Sequence, residues 1–227
     1  MSPKIVALLP MKANSSRVPG KNFRDFCGKP LYRWVLDSLL SVDLIDKIVI
    51  NTDAREILVS NGLVESSRIL IRDRHAAICG DDVSMNIVLA NDVANVSADY
   101  YFMTHTTNPL LAPSTIVKAI DSFFIGESSR GCDSMFSVNK IQTRFYDSDV
   151  RPVNHDPKNL IPTQQLEPLY EENSNFYIFT RKSFLSASAR IGSNPMMFET
   201  PAFESIDIDT PDDWNFAEIA YKYLSQL

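Results

Sequence analysis

Apolar positions fall into short runs separated by stretches of helical period. Ile5-Val6-Ala7-Leu8-Leu9 is apolar throughout, as a strand covered on both faces should be. A loop rich in Asn, Ser and Gly runs from Lys12 to Asn22. Pro30 then opens a stretch with Leu31, Val35 and Leu39 on one helical face. Lys47 to Asn51 predicts a second strand, Ala54 to Asn61 a short helix stopped by Gly62, and Arg68 to Arg72 a third strand. Asp82 to Val96 predicts a helix whose inner face carries Val83, Ile87, Ala90 and Ala94. Tyr100 to Met103 predicts a fourth strand, and Ile116, Ile120 and Phe123 mark a helix after Pro113. Strands alternating with helices imply an α/β fold, its mostly parallel sheet covered by helices on both faces.

The second half breaks this rhythm. Asp133 to Asn139 predicts a strand, but residues 140–175 carry four prolines, many polar positions and no helical period. That is too long for a plain connection. It reads as an insertion within a single domain spanning 1–227, a β-rich arm that serves a subunit contact or covers a site. Phe176 to Phe179 returns to the core. Ser205 to Asp209 alternates in type and predicts a last strand. Thr210-Pro211 caps a final helix with Trp214, Ala217, Tyr221 and Leu224 inward.

Composition narrows the partners. The 22 basic and 28 acidic residues give a net charge of −6, which disfavours nucleic acid as a partner. No apolar run approaches the roughly 18–20 residues of a membrane span. Met1-Ser2-Pro3-Lys4 leads into an apolar segment too short for a signal-peptide core. Cys27, Cys79 and Cys132 are odd in number and widely spaced, which suits a reducing cytoplasm.

Candidate chemistry sits where strands end in polar residues. The loop from Lys12 to Asn22 packs three cations, two hydroxyls and two amides into eleven residues. It lacks the Walker A pattern and the dinucleotide fingerprint. Its composition alone fits a solvated loop; its place after a buried first strand fits a polyphosphate site. Asp207 and Asp209, at i and i+2, would point to one face of a strand. They fit either a hard cation such as Mg²⁺ or an exposed strand edge whose acids help cap the last helix.

Further motifs follow the first loop in order: Gly28-Lys29-Pro30-Leu31, Ile50-Asn51-Thr52-Asp53, Arg74 with Gly80-Asp81, His105-Thr106-Thr107-Asn108-Pro109-Leu110, Asn173 to Phe179, and Ser205-Ile206-Asp207-Ile208-Asp209-Thr210. Together they resemble the acylneuraminate cytidylyltransferases, which make CMP-sialic acid and related CMP-sugars. They also resemble the related CMP-Kdo synthetases. The resemblance spans almost the whole chain. It implies a Rossmann-like nucleotidyltransferase fold and transfer of CMP from CTP to the hydroxyl of a 2-keto-3-deoxy sugar acid. In that likeness Lys12, Asn14, Ser15, Arg17, Lys21, Asn22 and Asp53 belong to the nucleotide site, with Lys12, Lys21 and Asp209 catalytic. Arg74 and the backbone near Gly80 lie by the cytosine. Asp207 and Asp209 hold Mg²⁺ or Mn²⁺. His105, Thr107, Arg144, Glu171 and Asn173 face the acceptor. The arm forms a homodimer contact and covers the partner's sugar site.

Three departures from the family matter. Lys12 stands where the family has Arg, and lysine keeps the charge without a bidentate fork. His105 replaces the usual Gln. Thr163 and Glu171 occupy places where basic residues help hold the sugar acid's carboxylate, and an acid there would repel it. Nucleotide chemistry is therefore expected to be kept and acceptor recognition changed, with Arg144, Arg151 and His155 as substitute anchors. Alternatives are an amino-bearing acceptor paired with Glu171, a Kdo-like acid, a sugar phosphate, a phosphonate, or a non-catalytic nucleotide-binding protein.

Overall fold

Each face of the central sheet is buried under helices, and the alternation along β1 (Ile5–Leu8) shows why the run had to be apolar. Ile5 and Ala7 enter one core cluster while Val6 and Leu8 enter the other. The computed structural model describes residues 3–226; Met1, Ser2 and Leu227 lie outside the described residues. After β1 come β2 (Asp25–Phe26), β3 (Lys29–Pro30), α1 (Leu31–Leu40), β4 (Lys47–Thr52), α2 (Arg55–Ser60), β5 (Ile69–Asp73), α3 (Met85–Asn95) and β6 (Tyr100–Thr104). The rest of the chain adds α4 (Pro113–Arg130), β7 (Ser134–Ile141), β8 (Leu169–Thr180), α5 (Arg181–Ala187), β9 (Pro195–Glu199) and α6 (Pro211–Leu224).

The main sheet has seven strands in the order β5-β4-β1-β6-β8-β7-β9. β8 runs antiparallel to both neighbours and the other pairings are parallel. α1 and α4 cover one face, and α3 and α5 the other. A third cluster joins Val18 of the first loop to Phe26, Leu31, Ile208, Trp214 and Ala217. It clamps α6 and the segment before it against that loop. Burial of each such large side chain contributes about 1.5–3 kcal/mol. No helix among the described residues is long and apolar enough to cross a membrane.

The structure corrects three expectations. The inner face of α3 is Val88, Leu89, Asp92 and Val93, whereas Ile87, Ala90 and Ala94 are exposed. The apolar spacing misled because Asp92 is itself buried. Its Oδ1 accepts from Asn51 Nδ2 at 2.7 Å and from Arg72 Nη1. Ser205 to Asp209 is no strand: Ser205 closes a turn by donating to Pro201 O at 3.2 Å, and Ile206 to Asp209 join no ladder. Its backbone groups find partners outside a ladder: Ile208 N donates to Thr107 O at 2.9 Å, and Asp209 N to Asp213 Oδ2 at 3.1 Å. The edge strand is β9 instead, and it opens on a proline, which an edge tolerates. The arm is β-structured only at its base, where Asn139, Lys140 and Ile141 pair with Glu171, Tyr170 and Leu169. Between these, residues 142–168 hold two isolated bridges and one short turn of 3-10 helix.

Candidate active site

The cleft opens beyond the carboxyl ends of β1, β5 and β6 and encloses about 500 Å³. Its first wall is the loop that leaves β1. Leu9 N and Met11 N continue the ladder, donating to Val49 O and Asn51 O at 2.9 and 3.1 Å. Asn22 closes the loop: Nδ2 donates to Lys12 O at 2.8 Å, and Oδ1 accepts from Thr106 Oγ1 at 2.6 Å. Asp53 accepts from Ala13 N at 2.7 Å. Buried Val18 pins the middle of the loop into the third cluster. With the backbone held this way, Lys12, Asn14, Ser15, Arg17 and Lys21 all line the cleft.

The cations are already paired. Arg17 Nη2 lies 2.9 Å from Asp209 Oδ2, and Lys21 Nζ lies 3.2 Å from Asp209 Oδ1. Lys21 also donates to Ile208 O at 2.6 Å and is almost fully buried. Lys12 reaches across the mouth to Asp81 at 2.5 Å and holds that carboxyl below the usual carboxylate range. A triphosphate offers Arg17 and Lys21 a more highly charged partner than one carboxylate. Binding it would free Asp209 for a different ligand.

Arg74 and Gly80 also line the cleft. Arg74 is buried and frames the site: Nε donates to Asn51 Oδ1 at 2.9 Å, and Nη2 to Asn51 O and Met11 O at 2.8 and 3.2 Å. The amide of Asn51 in turn reaches Asp92, so α3, β4 and the start of the loop are joined by one polar chain. Gly80 holds a φ of 118°, a conformation that favours glycine, and a Cβ there would meet nothing within 4 Å. The requirement is conformational. Among the described residues neither its N–H nor its carbonyl is hydrogen-bonded, so both can meet a base edge.

Asp207 lines the cleft beside Asp209. Burial raises its carboxyl above the ordinary range, opposed by the nearby Thr107 hydroxyl and reinforced by Asp209. Oδ1 is buried and accepts no hydrogen bond. Such an orphaned hard oxygen fits a divalent cation. No group of three or more His, Cys, Asp or Glu among the described residues could hold a metal. An ion here would therefore take its other ligands from water and substrate phosphate, as Mg²⁺ commonly does.

The second wall differs from expectation. His105 and Thr107 line the cleft. Burial, then repulsion from Arg190, lowers His105 to about 3, so it is neutral at physiological pH and offers one donor and one acceptor. Arg144, Glu171 and Asn173 do not line it. Arg144 Nη2 donates to Ile161 O at 2.8 Å inside the arm. Glu171 accepts from Asn139 Nδ2 at 3.0 Å. Asn173 ties β8 to Thr200 Oγ1 at 2.6 Å and Ser205 Oγ at 3.3 Å. Of the substitute anchors, Arg151 pairs with Asp149 at 3.0 Å and His155 packs edge-on against Tyr146. In their place the fold brings in Ser174 and Arg190, neither singled out by sequence. The signal for Ser174 was its place inside the motif from Asn173 to Phe179, where it holds a φ of 57°. Arg190 had none.

Residues 6–226 match the family model for cytidylyltransferases. The chain belongs to the cytidylyltransferase family. It is 27% identical over 226 residues to a pseudaminic acid cytidylyltransferase of Campylobacter jejuni, covering 96% of this chain and 97% of that protein. It is also 27% identical to a CMP-N,N'-diacetyllegionaminic acid synthase of Legionella pneumophila, with 95% of each chain covered. Among solved structures, a CMP:2-keto-3-deoxy-manno-octonic acid synthetase in complex with CTP superposes with a TM-score of 0.66 at 16% identity. That match covers 99% of this chain and 100% of the other. A 4-diphosphocytidyl-2C-methyl-D-erythritol synthase from Anaerococcus prevotii gives 0.68 at 13% identity, covering 97% and 96%. These likenesses establish the nucleotidyltransferase fold for this cytidylyltransferase.

Proposed function

We propose that the protein transfers CMP from CTP to the hydroxyl of a 2-keto-3-deoxy sugar acid of the sialic-acid type, releasing pyrophosphate. The observation that carries this is one cleft in which Arg17 and Lys21 of the loop converge on Asp209, with Asp207 beside it. The relatives named for pseudaminic and legionaminic acids supply the acceptor class.

The residues divide the work. Lys12, Arg17 and Lys21 bind the triphosphate, and Ser15 and Asn14 add neutral donors. The Gly80 backbone meets the exocyclic amine and ring carbonyl of cytosine, with Arg74 as the frame behind it. Asp207 and Asp209 would hold Mg²⁺, which when bound neutralises charge on the phosphates. The bond from the acceptor oxygen to the α-phosphorus forms as the bond to the oxygen bridging the β-phosphate breaks. The hydroxyl proton passes to a carboxylate at the cleft. Positively charged loop side chains stabilise the departing pyrophosphate, and alignment supplies much of the remaining rate. No covalent intermediate with the protein is needed, and the three cysteines are free. A reducing cytoplasm suits such a chain.

We assign a homodimer to the protein, made through residues 140–175. The arm exposes Val150, Val153, Leu160 and Tyr146. Sedimentation as a monomer at micromolar concentration would remove that assignment.

The test of function is pyrophosphate release from CTP and Mg²⁺ across a panel of acceptors. The panel holds N-acetylneuraminate, pseudaminate, legionaminate and Kdo, with a sugar phosphate as control. Release with one of the first three supports the proposal. Release with the sugar phosphate alone, or equal use of UTP, sinks it.

A further inference from the structure

Among the described residues, Arg190 is the one cation of the cleft that does not come from the loop after β1 or from the Arg74 frame. It lies between α5 and β9, on the wall built by β8. Its guanidinium carbon sits 3.7 Å from the centre of the Tyr177 ring. That ring is held in turn: the Tyr177 hydroxyl donates to Glu172 and reaches Ser174 Oγ at 3.2 Å. Burial and the bond to Glu172 push Tyr177 up to about 12, so it stays a phenol and a donor. The Arg190 backbone N donates to Asn86 Oδ1 at 3.3 Å, which ties the segment to α3. The side chain is therefore placed by stacking and by its backbone together.

Its hydrogen bonding is far from complete. Nη2 reaches Glu172 Oε1 at 3.4 Å, a long contact. Among the described residues Nε and Nη1 have no partner. A guanidinium carries five N–H donors in a planar fork that matches a carboxylate. The other cations of the cleft are committed, to Asp209, to Asp81 or to the Asn51 backbone. Arg190 also lies close enough to His105 to help lower it, which places its charge toward that part of the cleft.

We propose that Arg190 is the specificity-determining anchor for the acceptor's carboxylate, gripping it with the fork edge left free by Tyr177 and Glu172. This rests on the sugar-acid assignment above. It gives the acceptor wall the cation that Glu171 cannot supply, since Glu171 lies on Asn139 outside the cleft.

The test uses the full-length enzyme, saturating CTP and whichever acid of the panel the wild type turns over. A charge-assisted, two-point contact to a carboxylate predicts that Arg190→Met raises the acid's KM roughly 10- to 100-fold, with kcat changed much less. Arg190→Lys should fall between the two, because it keeps charge without the fork. Calorimetric CTP affinity should be unchanged in both. The wild type should use the acid as acceptor at far lower concentration than its methyl ester, and Arg190→Met should lose that preference. A merely structural role would leave the preference intact. Three results overturn the assignment: a KM within about twofold of wild type, CTP affinity falling in step with the acid's, or a wild type indifferent to esterification. The last needs no variant, so a poorly folded substitution cannot shelter the idea. If no acid is turned over but a sugar phosphate is, the sugar-acid assignment fails first and this one falls with it.

Discussion

On one wall of the cleft, Lys12, Arg17 and Lys21 project from a single loop whose ends and middle are fixed by Asn22, Asp53 and Val18. On the other wall, Ser174 and Arg190 come from segments separated by α5 and are held by Tyr177, Glu172 and Asn86. The first wall is local in sequence, anchored by backbone bonds and rich in fixed charge. In the proposed function it serves a ligand part that does not vary, a nucleoside triphosphate. The second is assembled from distant pieces and can change one side chain at a time without disturbing the first. Under the proposed function, this contrast would let a chain keep a nucleotide site while altering its acceptor site.

The contrast breaks most sharply at Asp209, which touches the nucleotide wall through both Arg17 and Lys21. Asp209→Asn should cut kcat roughly 10³-fold, because a cation held there matters most as charge develops on the leaving group. CTP affinity measured by calorimetry should change less than about tenfold, since the loop cations remain. A full-rate variant would refute the metal assignment.

A smaller effect is expected beneath the first wall. Asp92 is fully buried and pairs with Arg72 and Asn51, and Asn51 orients Arg74. Asp92→Ala removes the acceptor shared by Asn51 and the half-buried Arg72, which costs about 1–3 kcal/mol. Urea unfolding should show that loss, and CTP should bind more weakly as the Arg74 frame loosens. A loss below about 1 kcal/mol would mean that the chain from α3 to the loop carries no strain-bearing role.

The effect at the second wall is absent near pH 7 and grows as pH falls. His105 has a folded-state value of about 3 against an ordinary 6.5. As pH falls, the unfolded chain takes up this proton first, so the group opposes folding increasingly from about 6.5 down to about 3, where the penalty levels off. His105→Gln, which restores the residue usual in the family, should leave stability near pH 7 unchanged and flatten its decline toward pH 4. Parallel declines in the two proteins would place His105 in a more open setting than the structure gives it.

What could be read from the sequence follows the same division. The apolar run of β1, the capped start of α6 and the loop from Lys12 to Asn22 are local patterns, and the structure contains each of them. The Ser205 to Asp209 segment was legible in its alternation but not in its pairing. Alternation records which way side chains face, and Ile208 does point to the core while the aspartates line the cleft. The face of α3 was misread because a paired, buried carboxylate looks polar in one dimension. Arg190 was invisible because its meaning depends on Tyr177, thirteen positions earlier in the chain and adjacent only in the fold.

The most direct measurement is phosphorus NMR of CTP, Mg²⁺ and the accepted sugar acid as the enzyme acts. Attack at the α-phosphorus predicts that the triphosphate signals give way to pyrophosphate and one phosphodiester in equal amounts, with no change when the acid is omitted. Formation of CDP and orthophosphate, or consumption of CTP without the acid, would contradict the account.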